Sequence, residues 1–172
     1  MSESKARSRA GGHWFIARNE EILANNGTVM NVLQMIKAVM SSAAEVELRA
    51  LFINFKLKVP ARNTLEELGQ PQPKTPMQTD NSTANGLLNN KITPKATKSI
   101  DMEFQWMRCR DAQVQFRFYW RPGTQNWGDY WTKHHTAIHH RVFRKNILTL
   151  SKHIKVGKRE TAKVRSTMAR VC

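Results

Sequence analysis

With 172 residues, 40% of them hydrophobic and 24% charged, the chain has material for one globular domain with appendages. No stretch approaches the roughly 18 uninterrupted apolar residues of a membrane span, and the N-terminal MSESKARSRAGG lacks the apolar core of a secretory signal. Cys109 and Cys172 are too few for a disulfide framework or a metal pair, so the expected compartment is reducing and intracellular, cytoplasm or nucleus.

In chain order, His13 to Ala17 is a short aromatic and β-branched run that predicts a strand. Asn25-Asn26-Gly27 signals a turn, and Thr28 to Leu33 a second strand completing a hairpin. Ser42 with Glu45 has the spacing of a capping box. Ala44, Leu48, Leu51, Phe52 and Phe55 then follow helical spacing along one apolar face. Pro60 is expected to end or kink this helix, and Thr64 with Glu67 repeats the start signal before Gly69 stops it.

After the Pro-rich connection Gln70 to Pro76, a strand is expected at Thr75 to Thr79, closed by Asp80, and a short helix at Ser82 to Leu88. Asn89 to Thr97 reads as a polar loop, Ser99 to Gln113 as a helix and Val114 to Trp120 as an aromatic strand with Trp120 in the core. Pro122-Gly123 is a turn, and Gln125 to Lys133 the last helix, giving the order ββαβαβα. Such alternation predicts an α/β or α+β sheet flanked by helices. The net charge of +15 is uneven, because Arg141 to Cys172 holds ten Lys or Arg against one acid, Glu160. A basic tail of that kind binds polyanions through counterion release without reading sequence, or is simply solvated. The expected division is therefore a domain over 1–140 and a flexible or helical basic tail over 141–172.

Four segments in order carry a family likeness. They are MSSAAEVELRAL (Met40 to Leu51), LEELG (Leu65 to Gly69), QTDNSTA (Gln78 to Ala84), and KSIDMEFQWMR with YWRPGTQNWGDYWTKHH (Lys98 to Arg108, Tyr119 to His135). Together they resemble the RNase H domain of copia-type LTR retrotransposon polyproteins. The resemblance implies an RNase H-like mixed five-stranded sheet flanked by helices. It also implies an acidic cluster that holds two Mg²⁺ ions and hydrolyses the RNA strand of RNA–DNA hybrids.

On that resemblance the catalytic and metal-binding residues are Glu47, Asp80 and Asp129. Two-metal phosphodiester cleavage needs hard oxygen ligands converging on ions about 4 Å apart. Asp80 lies where a strand gives way to a helix, although an Asx turn or helix cap would also explain a lone Asp there. Asp129 sits in a first helical turn, where an acid is favourable in any case. On a wheel of about 100° per residue Glu45 and Glu47 flank the apolar face symmetrically. Capping assigns Glu45 to Ser42 and leaves Glu47 for the site, the position on which the family's second glutamate falls.

The family's fourth carboxylate lies on a first strand before the SRAGG-like segment. Only Glu3 precedes that segment here, so the chain is expected to be truncated at its N-terminus, with open sheet edges and weak or no hydrolysis. The alternative is a catalytically inactive, nucleic-acid-binding remnant. His134, His135, His139 and His140 form HHxxxHH, but no cysteine or acid follows to complete a zinc site, and a polyanion-facing loop is the expected role. Trp120, Trp127, Tyr130 and Trp131 beside Arg121 and Lys133 have the composition of a stacking platform for nucleic acid.

Overall fold

The structure, a computed structural model, describes residues 8–20, 27–40, 42–89, 101–148 and 166–169. β1 (Arg9–Arg18) and β2 (Met30–Met35) form an antiparallel pair with Arg9 opposite Met35 and Trp14 opposite Met30. The expected turn at 25–27 lies partly outside the described residues. β1 is buried on both faces from Ala10 to Phe15, the pattern of an interior strand rather than an edge. Its side chains alternate as the pleat requires. Ala10 and Trp14 pack towards the long helix α1 (Ala43–Glu67), and His13 packs edge-on to Trp127 on the opposite face.

Two glycines permit this close layering. A Cβ on Gly12 would stand 2.1 Å from Asn54 Oδ1, and one on Gly11 would stand 2.5 Å from the carbonyl oxygen of Gly128. Asn54 fixes α1 to the strand: its amide nitrogen donates to Gly11 O at 2.8 Å and Ala50 O at 2.9 Å, and its oxygen accepts from Trp14 Nε1 at 3.2 Å. A buried amide with these bonds made is tolerated, whereas a bare one is costly.

α1 begins as expected, with Ser42 Oγ accepting from Glu45 N. It does not end at Pro60, which lies inside the helix, and no second helix starts at Thr64. A proline there costs about 3 kcal/mol, and the packing beyond it holds the helix on course. Arg62 is buried, donates to Pro73 O, Gln72 O and Thr75 Oγ1, and pairs with Glu66. Thr64 Oγ1 bonds back to Pro60 O instead of capping a new helix. Gly69, at φ +76°, ends the run in the left-handed conformation that suits glycine.

β3 (Thr75–Thr79) pairs in parallel with β4 (Phe116–Trp120), Thr75 opposite Phe116 and Thr79 opposite Trp120. α2 (Ser82–Leu88) and α3 (Asp101–Ala112) connect them. Phe55, Phe116, Phe118, Met77, Leu51, Leu88 and Met107 form the main core between α1, the β3–β4 pair and these helices. An Arg49–Glu103 ion pair ties α3 to α1. Trp120, expected in the core, is 48% exposed: it stands at the strand end, and its indole donates to Asp80 O at 2.8 Å.

The expected last helix is also shorter. A 3₁₀ turn at Gly123–Gln125 precedes α4 (Asp129–Thr132), because Asn126 takes an extended ψ and its side chain captures Gly128 N. α5 (Ala137–Ile147) crosses position 140, so the boundary drawn there falls within a helix whose Phe143 packs on Trp127 and Tyr130. The final strand, β5 (Ser166–Ala169), lies antiparallel to β1 over Phe15–Arg18. The β1 edge expected to be open is thus partly occupied. The result is a mixed α/β arrangement of a β2-β1-β5 sheet and a β3-β4 pair with helices against them.

Gly12→Ala should destabilise the fold by about 1–3 kcal/mol, the usual cost of overpacking. A lower urea midpoint by circular dichroism, with unchanged slope, is the expected result.

Candidate active site

Glu47, Asp80 and Asp129 reach one another from three elements. Glu47 is in the second turn of α1, Asp80 follows the last residue of β3, and Asp129 opens α4. Asn54 and the glycines of β1 place α1 against one face of that strand, and Gly128 against the other, which brings the first and third carboxylates to the same end of the fold. Asn81, not Asp80, caps α2 by accepting from Ala84 N at 2.9 Å. That leaves the Asp80 side chain out of the capping role, with Oδ2 turned towards Gly123, where an added Cβ would sit 3.1 Å away.

Electrostatics report the convergence. Burial pushes the Glu47 carboxyl up to about 7, with Asp80 and Asp129 adding repulsion and a 2.8 Å hydrogen bond from Thr79 Oγ1 opposing it. Asp129 is likewise raised, first by burial and further by Asp80, although Lys133 Nζ sits 2.5 Å from its Oδ2. Lys133 is raised in turn, mainly by its bond to Asp129 and also by Asp80 and Glu47. The two raised partners of this ion pair are compatible because desolvation acts on Asp129 more strongly than Lys133 does. Acids held together against their own repulsion in a cleft are a functional-site candidate.

The donor set fits a hard divalent cation, since carboxylate oxygens suit Mg²⁺. The separation is looser than a closed single-ion cage: among the described residues, no three His, Cys, Asp or Glu side chains are grouped to enclose one ion. Lys133 and Thr79 now supply the positive charge and the donor that a cation would replace. Neither was singled out from sequence for this part. Lys133 was legible as the i,i+4 partner of Asp129, but nothing in the pattern of β3 pointed Thr79 at Glu47.

Beside Asp129 a cleft of about 340 Å³ opens, lined by Asn126, Trp127, Tyr130, Lys133, His135 and His139 among others. The histidines are divided: His134 and His135 lie in the short connection before α5, as a loop was expected, whereas His139 and His140 lie in α5, which Thr136 caps; His135 and His139 stack at 4.2 Å, and His140 Nδ1 meets Tyr130 OH at 2.8 Å. Among the described residues no helix is long and apolar enough to cross a membrane. In comparison with known proteins, the chain matches no protein-family model, no curated protein and no solved structure.

The raised Glu47 carboxyl has a definite sign in stability. Its value in the fold lies above the ordinary 4.5, so the folded state holds the proton more tightly, and stability falls as pH rises from about 4.5 through about 7. The full penalty above that window is on the order of 3 kcal/mol, at about 1.4 kcal/mol per unit. Glu47→Gln keeps an acceptor for Thr79 and removes the charge. It should therefore unfold at higher urea than the parent at pH 8 and no differently at pH 4, without added metal.

Proposed function

We propose that this chain is an RNase H-like domain of retrotransposon descent, similar to those of copia-type polyproteins. In this reading Glu47, Asp80 and Asp129 hold Mg²⁺ and act on the RNA strand of RNA–DNA hybrids, with impaired turnover. One observation carries it. Three acids drawn from three separate sequence motifs lie within electrostatic reach of one another, two of them raised by burial and mutual repulsion. A core has no use for such a group, because each buried carboxylate lowers stability unless something cationic joins it.

When bound, Mg²⁺ supplies activation of the attacking water and stabilisation of the leaving oxygen. The chain's own residues do the rest. Thr79 orients Glu47 through its 2.8 Å hydrogen bond, and the Trp120 indole holds the Asp80 backbone. Lys133, exposed and next to Asp129, offers a cation to a phosphate as well as to the carboxylate. Arg141, Arg144 and Lys145 extend exposed positive charge along α5. Such a surface contacts the phosphates and 2′-hydroxyls of a hybrid rather than its base sequence.

The second reading is a nucleic-acid-binding remnant without catalysis. It is favoured by the Lys133 ammonium on Asp129 and by a cluster of three acids where the family uses four. A labelled RNA–DNA hybrid separates the two. The nuclease reading predicts binding that weakens about tenfold or more between 50 and 200 mM salt. It also predicts slow Mg²⁺-dependent cleavage of the RNA strand, abolished by Asp80→Asn. Binding with no cleavage at any Mg²⁺ concentration would leave only the remnant, and no binding at low salt would contradict both.

A further inference from the structure

The cleft beside Asp129 is lined by Trp127 and Tyr130 but not by Trp120 or Trp131. Its other rings are ones that the sequence pattern did not group with them. Phe143 stacks on Tyr130 at 4.0 Å and 18°, and His139 stacks on His135 at 4.2 Å and 15°. The two pairs lie side by side, with Tyr130 next to His135 at 5.2 Å and 13°, and His139 next to Phe143 at 6.0 Å and 12°. All four planes are thus close to parallel, in two layers, each two rings wide. One layer comes from α5, where His139 and Phe143 are one turn apart. The other comes from Tyr130 in α4 and His135 in the connection. Burial is graded across the four: Phe143 is buried, Tyr130 and His135 are half-buried, and His139 is exposed. Packing of α5 accounts for Phe143, but not for an exposed imidazole laid flat on a second one. The imidazoles meet face to face rather than nitrogen to nitrogen, a geometry for a flat ligand rather than for a metal ion.

We propose that this cleft is a nucleotide subsite: one unpaired nucleobase stacks on the exposed imidazole of His139, continuing the parallel rings, and its phosphate meets Lys133. The cleft holds about 340 Å³, within the roughly 300–1,000 Å³ of small-ligand sites. Every base has a π-face, so stacking of this kind tolerates any sequence. His139, Val142, Phe143 and Asn146 occupy one face of α5, at i, i+3, i+4 and i+7, and all four line the cleft. The Asn146 amide offers a donor and an acceptor to a base edge. Lys133 brings an exposed ammonium to the same cleft. Arg141, Arg144 and Lys145 fall on the opposite face of the helix at about 100° per residue, where they attract any polyanion without touching the base. The choice of a nucleotide among flat anions rests on the nucleic-acid reading above; the ring stack needs neither metal nor cleavage.

The test compares two labelled probes binding to the full chain at low salt in EDTA, read by fluorescence anisotropy. One is a short single-stranded oligodeoxyadenylate, and the other is the same backbone made abasic. The base-bearing strand should bind about fivefold more tightly or better, the lower end of what one stacked base contributes. His139→Ala should remove most of that difference, and alanine at this exposed position favours the helix, so α5 is kept. His139→Phe, which restores a ring, should keep the difference. Arg144→Ala with Lys145→Ala should weaken both strands alike. Equal affinity for the two strands, no binding of either, or a preference that survives His139→Ala would overturn the proposal. With no divalent ion in the assay, failure here leaves hybrid cleavage untouched, and failure of cleavage leaves this result standing.

Discussion

Electrostatic reach among three carboxylates, with Glu47 and Asp129 pushed up first by burial, sets the terms for the rest of this fold. Loss of water first, and then repulsion from the neighbouring Asp80, work against the charged forms of Glu47 and Asp129. The scaffold must therefore be stiff enough to keep them in place. Stiffness comes from the glycine strand β1, which lets α1 approach until Asn54 touches backbone and lets the Gly128 turn settle on the other face. The helix that carries Glu47 and the turn that carries Asp129 are thereby fixed to one strand, and β3 delivers Asp80 from the neighbouring pair.

The charge balance around the cluster is unfinished. Thr79 and Lys133 temper it, one with a hydroxyl and one with an ammonium, yet Glu47 remains well above the usual carboxylate range. An added cation of higher charge would lower Glu47 and Asp129 and convert the destabilising repulsion into binding energy. The same cluster is thus a liability for the bare fold, and in the proposed reading a divalent ion would relieve it. Sites that trade stability for chemistry are expected to break local rules of this kind.

Much of this was legible in the sequence, for reasons that differ from element to element. β3 and α2 fall where the Thr75 to Leu88 pattern put them, because strand, polar cap and small-residue helix follow in register there. The choice of Glu47 over Glu45 rested on a local hydrogen bond, Ser42 to Glu45 N, and local bonds are what sequence spacing encodes. Pro60 misled because its local preference was overridden by Arg62, whose partners Gln72 to Thr75 lie across a connection that no window of sequence reveals. The last helix was overestimated because Asn126 spends its side chain on Gly128 N. β5 was not foreseen at all: a four-residue strand inside a basic tail carries no periodic signal, and its partner is about 150 residues away.

Paramagnetic Mn²⁺, replacing Mg²⁺ at substoichiometric amounts, reads the central claim most directly in the amide NMR spectrum of the full chain. If Glu47, Asp80 and Asp129 line one divalent-ion centre of the two-ion kind, signals from the residues around all three broaden together, and Asp80→Asn weakens the effect at all of them. Broadening confined to the histidines of α5, or spread evenly over exposed acids such as Glu66 and Glu67, would contradict a shared site.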